Sequence, residues 1–236
     1  MKSRNMNDEL NHLFSKYHNQ FNSQHLNEIV NREYVYSKLN QNANILICGI
    51  NPSYRVKEDN PNAYEFDFND EKVKKDPYFK KFHDKTKGIQ TNYIDLLRQR
   101  HTSQSDIGLF MKEEKGLQFI IDQLKVSQNA IENLKPKLIL VFNRMAGQFW
   151  GRDAIYYKNG NARSVWMGYT FIPTEIEGAM KITGIIQHSD RINQSLKQTN
   201  LIGTIIYFSS FISYRTSRKV KTKINKDVPA LINQYV

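Results

Sequence analysis

Hydrophobic and polar positions along the chain alternate between two regimes. Short unbroken apolar runs end abruptly at a polar residue, and longer stretches place apolar residues three and four apart. The helical spacing predicts helices over 7–38, carried by Leu10, Leu13, Phe14 and Tyr17 and then Leu26, Ile29 and Val30, with a break at Asn19 to Ser23. After a polar turn at Asn40 to Asn44, Ile45-Leu46-Ile47-Cys48 runs into Gly49-Ile50-Asn51-Pro52-Ser53. A continuous apolar run bounded by Gly, Asn and Pro predicts a strand buried on both faces, of the kind found in parallel sheets. Asp76 to Asp84 reads as a short helix, and Asn92-Tyr93-Ile94-Asp95-Leu96-Leu97 as a second buried strand leading into Arg98-Gln99-Arg100-His101.

Leu117, Ile120, Ile121 and Leu124, then Ala130, Ile131 and Leu134, predict one or two amphipathic helices, with Ser127 as a cap between them if there are two and Pro136 as their end. Leu138 to Phe142 is another buried strand, stopping at Asn143, and Met145 to Gly151 a helix leaving it. Strands follow at Val165 to Ile172 and at Lys181 to Ile186, the latter closing on Gln187-His188-Ser189-Asp190-Arg191. Leu201, Ile205, Phe208 and Ile212 predict a long helix from Ile192 to about Tyr214. Strands alternating with helices, with no internal repeat and no low-complexity linker, predict one three-layer α/β/α domain around a mostly parallel sheet. Its parts are N-terminal helices at 7–38, a core at 43–214 and a basic segment at 215–236.

Charge narrows the partners. Thirty-four Lys and Arg against 23 Asp and Glu give a formal net charge of +11, which favours polyanions over a neutral small molecule. The densest basic run, Arg215 to Lys226, is either a solvated helix face or a loose tail. Cys48 is the single cysteine, so no disulfide and no four-cysteine site can form within one chain. There is no apolar signal-peptide core, and the longest apolar stretch is too short to cross a bilayer, which predicts a soluble cytoplasmic protein. P-loop, dinucleotide-binding and metalloprotease motifs are missing, so neither cofactor nor metal is expected. Ser53 lacks the surroundings of a hydrolase nucleophile.

What chemistry remains sits at strand ends: Asn51, Asp95, Asn143 and His188. Asp95 lies among apolar neighbours and is either facing water or held by hydrogen bonds for a purpose. The long stretch from Tyr54 to Pro77 carries Tyr64, Phe66 and Phe68, which either face the site or pin the loop to the core.

These strand ends carry a resemblance. Gly49-Ile50-Asn51-Pro52-Ser53 resembles the first active-site motif of the uracil-DNA glycosylase superfamily, in the form of its mismatch-specific and thymine glycosylases. His188-Ser189 is similar to the second motif, and Lys135 to Val141 looks like the strand between them. Ser189-Asp190 stands where Pro-Ser is usual, and Asn143 where glycine is frequent, which leaves room for a divergent branch. The resemblance implies a monofunctional DNA glycosylase acting on a flipped deaminated or modified base, with DNA as partner. Asn51 would hold the water and His188 would stabilise the departing base. Gly49, Ile50, Pro52, Ser53, Phe66, Phe68, Asn143 and either Asn92 or Asp95 would line the substrate site, while Ser189 and Arg191 would meet DNA. No lysine recommends itself as a Schiff-base nucleophile. A catalytically silent nucleic-acid-binding module of the same fold is the alternative.

Overall fold

The computed structural model describes residues 6–55, 62–86, 88–210 and 216–236. The chain opens with helices α1 (Met6–Tyr17) and α2 (Gln24–Asn31), followed by strands β1 (Val35–Ser37) and β2 (Ile45–Gly49). Next come β3 (Tyr64–Phe66), α3 (Glu71–Lys75), α4 (Pro77–Thr86), β4 (Thr91–Asp95), α5 (Ser105–Phe110) and α6 (Glu114–Leu134). The second half runs β5 (Leu138–Val141), α7 (Arg144–Phe149), β6 (Ile155–Tyr156), β7 (Ala162–Arg163), β8 (Tyr169–Pro173), β9 (Ala179–Ile185), β10 (Ile205–Phe208) and α8 (Arg218–Tyr235).

Six strands form the central sheet in the order β4-β2-β5-β10-β9-β8. The first four are mutually parallel, and β9 and β8 continue the sheet through antiparallel pairings. Helices cover both faces, and the strand alternation decides which core each side chain joins. Leu46 and Cys48, Ile139 and Val141, and Ile206 and Phe208 point to one core with α1, α2, α5 and α6. Ile45 and Ile47, Leu138 and Leu140, and Ile205 and Tyr207 point to the other, where Phe82 of α4 and Ile224, Val228 and Leu231 of α8 pack. Burial on both faces explains why β2, β5 and β10 read as unbroken apolar runs.

Local signals set several element ends. Asn143 caps α7 by accepting from the backbone N–H groups of Met145 and Ala146, at 2.9 and 3.1 Å. Lys135, at φ 48°, ends α6 in the left-handed conformation just before Pro136. α6 is continuous through Ser127, which is no cap. Its buried hydroxyl donates to the Leu96 carbonyl at 2.7 Å and ties the helix to the segment after β4.

The largest departure from the sequence pattern is at 192–214. No helix forms over the described part of it. Turns lead to β10, whose four residues are all buried. Ile205-Ile206-Tyr207-Phe208 satisfies a helical and a strand period at once, and the gap between β5 and β9 decides for the strand. Ile212, Tyr214 and Arg215 lie outside the described residues. The basic segment beyond them is a helix face, α8, whose apolar side is packed on the sheet. Within 7–38 the last residues form β1, which pairs in parallel with β3, so the described part of the stretch from Tyr54 to Pro77 holds a strand and the helix α3.

Candidate functional site

The carboxyl ends of β2 and β4 meet in register, with Gly49 opposite Asp95. Beyond them the two chains stay joined. Leu97 N–H donates to Ile50 O at 2.8 Å and His101 N–H to Pro52 O at 3.1 Å. The Asn51 amide nitrogen donates to His101 O at 2.6 Å and to Pro52 O at 3.0 Å. Both partners are carbonyl oxygens, which fixes the nitrogen on that side and consumes both of its protons. Among the described residues the side-chain oxygen accepts no hydrogen bond. Asn51 lines a cavity of about 370 Å³ and, with Ser53, a second one of about 250 Å³ beside it. The larger lies within the range of small-molecule sites, about 300–1,000 Å³.

Asp95 forms the polar floor of the larger cavity. One carboxylate oxygen accepts from the Tyr93 hydroxyl at 2.9 Å, and that hydroxyl lies 3.1 Å from the Tyr78 hydroxyl. Tyr93 has only one proton and gives it to Asp95, so Tyr78 donates to Tyr93. A relay Tyr78–Tyr93–Asp95 results. Burial holds both phenols above their ordinary range, with the Asp95 charge adding to it, so they remain donors. Burial also pushes the Asp95 carboxyl up to about 7, against the pull of the Tyr93 hydrogen bond and the nearby Arg98 guanidinium. Arg98 is itself fully buried and pulled down to about 10 by desolvation. Its Nε and Nη2 find no hydrogen-bond partner among the described residues.

This arrangement explains Gly49. A Cβ there would stand 2.1 Å from Asp95 Oδ1 and 2.4 Å from the Tyr93 hydroxyl. Glycine is required because the carboxylate and phenol cross its face.

The expected residues separate into those at the cavity and those elsewhere. Asn51, Pro52, Ser53, Phe66 and Asp95 line the larger cavity, with Tyr64 and Phe79 adding aromatic wall. Gly49, Ile50 and Asn143 line the second, although the Asn143 side-chain oxygen is already spent as the α7 cap. Phe68 is fully buried behind the site, stacked on His83 at 4.1 Å and on Tyr93 at 5.6 Å. Asn92 points away. Its amide donates to Asn40 O and accepts from Asn40 N–H, both at 2.8 Å, closing the polar turn before β2.

The pairing of Asn51 with His188 is corrected by the topology. β9 is antiparallel to β10, with Ile205 opposite Lys181, so the chain leaves β9 at the amino edge of the parallel strands. Asn51 follows the carboxyl edge. His188 instead bonds through Nε2 to Gly160 O at 2.9 Å and accepts from Asp190 N–H at Nδ1, 3.1 Å away. Arg191 is not placed to meet DNA: it is 2% exposed and donates to Asn193 O and Leu196 O at 2.6 and 2.7 Å. Ser189 remains exposed beside it, with its hydroxyl turned to Asp190. The strand whose carboxyl end lies beside Asn143 is β10, where Ser209 N–H donates to Val141 O at 2.9 Å.

Sequence reasoning passed over Tyr93 and Tyr78. Tyr93 had a signal, since residues two apart on a strand share a face and Tyr93 precedes Asp95 by two. Tyr78 had none, because only the packing of α4 on β4 brings it there. Cys48 is buried and its thiol is held far above its ordinary range by desolvation, which leaves it inert.

No protein-family model matches the chain, and no curated protein shows significant similarity to it. No described helix is long and apolar enough to cross a membrane, and no described group of three or more His, Cys, Asp or Glu side chains is placed to hold a metal ion.

Proposed function

We propose that this protein is a DNA glycosylase of the uracil-DNA glycosylase type, hydrolysing the N-glycosidic bond of a deaminated or modified base held in the Asn51–Asp95 cavity. The observation that carries the reading is the Asn51 side chain, which lines the cavity with both amide protons spent on main-chain carbonyls while its oxygen accepts no hydrogen bond from the described residues. A neutral amide takes no proton near pH 7, so Asn51 positions a water and does not activate it as a base.

As the bond to the base lengthens, the sugar becomes cationic and the base anionic. Water held by Asn51 adds to the sugar carbon, and the base leaves with the bonding electrons. Asp95 meets the base edge. Its Oδ1 is occupied by Tyr93, and with the group titrating near 7 its free oxygen carries a proton in part of the molecules. That proton stabilises the departing base, and the one released by the attacking water restores the balance. His188 has no part in this chemistry. Tyr64, Phe66 and Phe79 supply stacking surface for a flipped base.

A panel of single- and double-stranded oligonucleotides carrying deaminated or modified bases tests the reading through alkali-sensitive abasic sites. Cleavage of at least one substrate, lost in Asn51→Ala, is expected. An intact panel together with salt-dependent DNA binding would support the silent binding module instead.

A further inference from the structure

The two helical layers carry opposite charge. On one face, α3, α4 and α8 hold eleven Lys and Arg against three acids, a net of +8 within a chain of net +11. On the other, α1, α2, α5, α6 and α7 hold three lysines and one arginine against seven acids, a net of −3. The basic helices form one surface. Phe82 of α4 and Ile224 and Val228 of α8 share the core beneath them, and Lys85 bonds to Asn225 across the α4–α8 seam. Part of this charge is answered within the face itself, for example by Lys74 with Glu71, Lys80 with Asp84, and Lys223 with Asp227 and Glu177. Lys75, Arg218, Lys219 and Lys226 are exposed.

The surface also meets the cavity. Lys72 and Val73 of α3 and Asp76 at its end line the same space as Asn51 and Asp95. We propose that the α3–α4–α8 face is the track on which the nucleic-acid backbone lies, so that a strand crossing it delivers a base to the cavity mouth. α8, at 18 residues, is about 27 Å long, room for roughly eight base pairs of duplex at about 3.4 Å each. An anionic membrane fits less well. A helix lying on a bilayer inserts apolar side chains, and none of the exposed large hydrophobic residues lies on α3, α4 or α8. The acidic opposite face would turn the basic one toward a polyanion during approach.

The proposal rests on reading the cavity as a nucleic-acid site, yet the surface can be tested separately. The full chain and two triple variants would be titrated against a labelled undamaged oligonucleotide by fluorescence anisotropy from about 50 to 300 mM salt. One variant, K75Q/K219Q/K226Q, neutralises the basic face. The other, K112Q/K115Q/K125Q, removes equal charge from the opposite side. Thermal melts establish that both are folded. The basic-face variant is expected to bind at least tenfold more weakly at low salt, with its salt slope reduced by roughly 0.7 to 0.9 per lysine replaced. The control variant should show less than a threefold change. Equal weakening in both variants would overturn the track, as would tighter binding to phosphatidylserine vesicles than to oligonucleotide, abolished by the basic-face changes. If the basic-face variant alone loses binding while no base is excised from the panel, the track stands and the glycosylase reading fails. If bases are excised and both variants bind alike, the reverse holds.

Discussion

Replacing Asp95 by asparagine should make the protein more stable at neutral and alkaline pH while removing the base excision proposed for it. The carboxyl titrates at about 7 in the folded protein against an ordinary 3.8, a difference of about three pH units. At about 1.36 kcal/mol per unit this corresponds to about 4 kcal/mol. The sign follows from proton binding. Between the two values the folded protein keeps a proton that the unfolded chain has lost, so stability falls as pH rises through this window. Below about pH 4 the group costs nothing, and above about 7 nearly the full amount is lost. An amide in place of the carboxylate would have no charge to bury, and its oxygen could still accept from the Tyr93 hydroxyl. Wild type and Asp95→Asn should therefore unfold at similar urea concentrations at about pH 4. The variant should gain up to about 4 kcal/mol by about pH 8, or roughly 8–15 °C in melting temperature for a chain of this size. Taking the difference between the two proteins at each pH removes the effect of every other titrating group. A flat difference curve, or a variant less stable than wild type at pH 8, would refute the assignment of a buried, reluctantly ionised carboxyl. Such a cost retained at a cavity is the expected signature of a functional group, since stability alone would select against it.

Gly49→Ala places a methyl group against Asp95 and Tyr93, and should destabilise by about 1–3 kcal/mol in denaturant titrations, with part of the loss relieved in a Gly49→Ala/Asp95→Ala double variant. Tyr93→Phe removes the hydrogen bond that holds the Asp95 value down, so a carbon-13 NMR titration should find Asp95 protonated to higher pH than in wild type. Any base excision should decline as pH rises above about 7, when the Asp95 proton is lost. His188→Ala should leave it within a fewfold of wild type, and a loss as large as that of Asn51→Ala would contradict the placement of these residues at opposite edges of the sheet.

Much of the architecture was written in local pattern. The unbroken apolar runs at Ile45 and Leu138 need burial on both faces, and only a helix-covered parallel sheet provides it. The turn after Cys48 was legible for the same reason: glycine, asparagine and proline have backbone preferences of their own. Even the choice of glycine at position 49 follows from one neighbouring strand, since Asp95 lies directly across the ladder and the Tyr93 hydroxyl, from two residues earlier on the same face, reaches the same space.

Strand direction was not legible. The run ending at His188 has the composition of the strands around it, and periodicity is the same whether a strand runs up or down the sheet. The antiparallel pairing of β9 with β10 moves His188 to the far edge, and that pairing depends on Ile205 to Phe208 being a strand, although their spacing also fits a helix. Asp95 shows the same division. Its sequence announced a carboxylate among apolar residues, either solvated or held. Only the packing of α4 against β4, which brings Tyr78 to Tyr93 and seals the floor of the cavity, decided that it is held and titrates near neutrality. Local pattern determines which residues are buried and at what period. Which buried groups meet is decided by long-range contacts, whose energies belong to pairs of residues far apart in the chain.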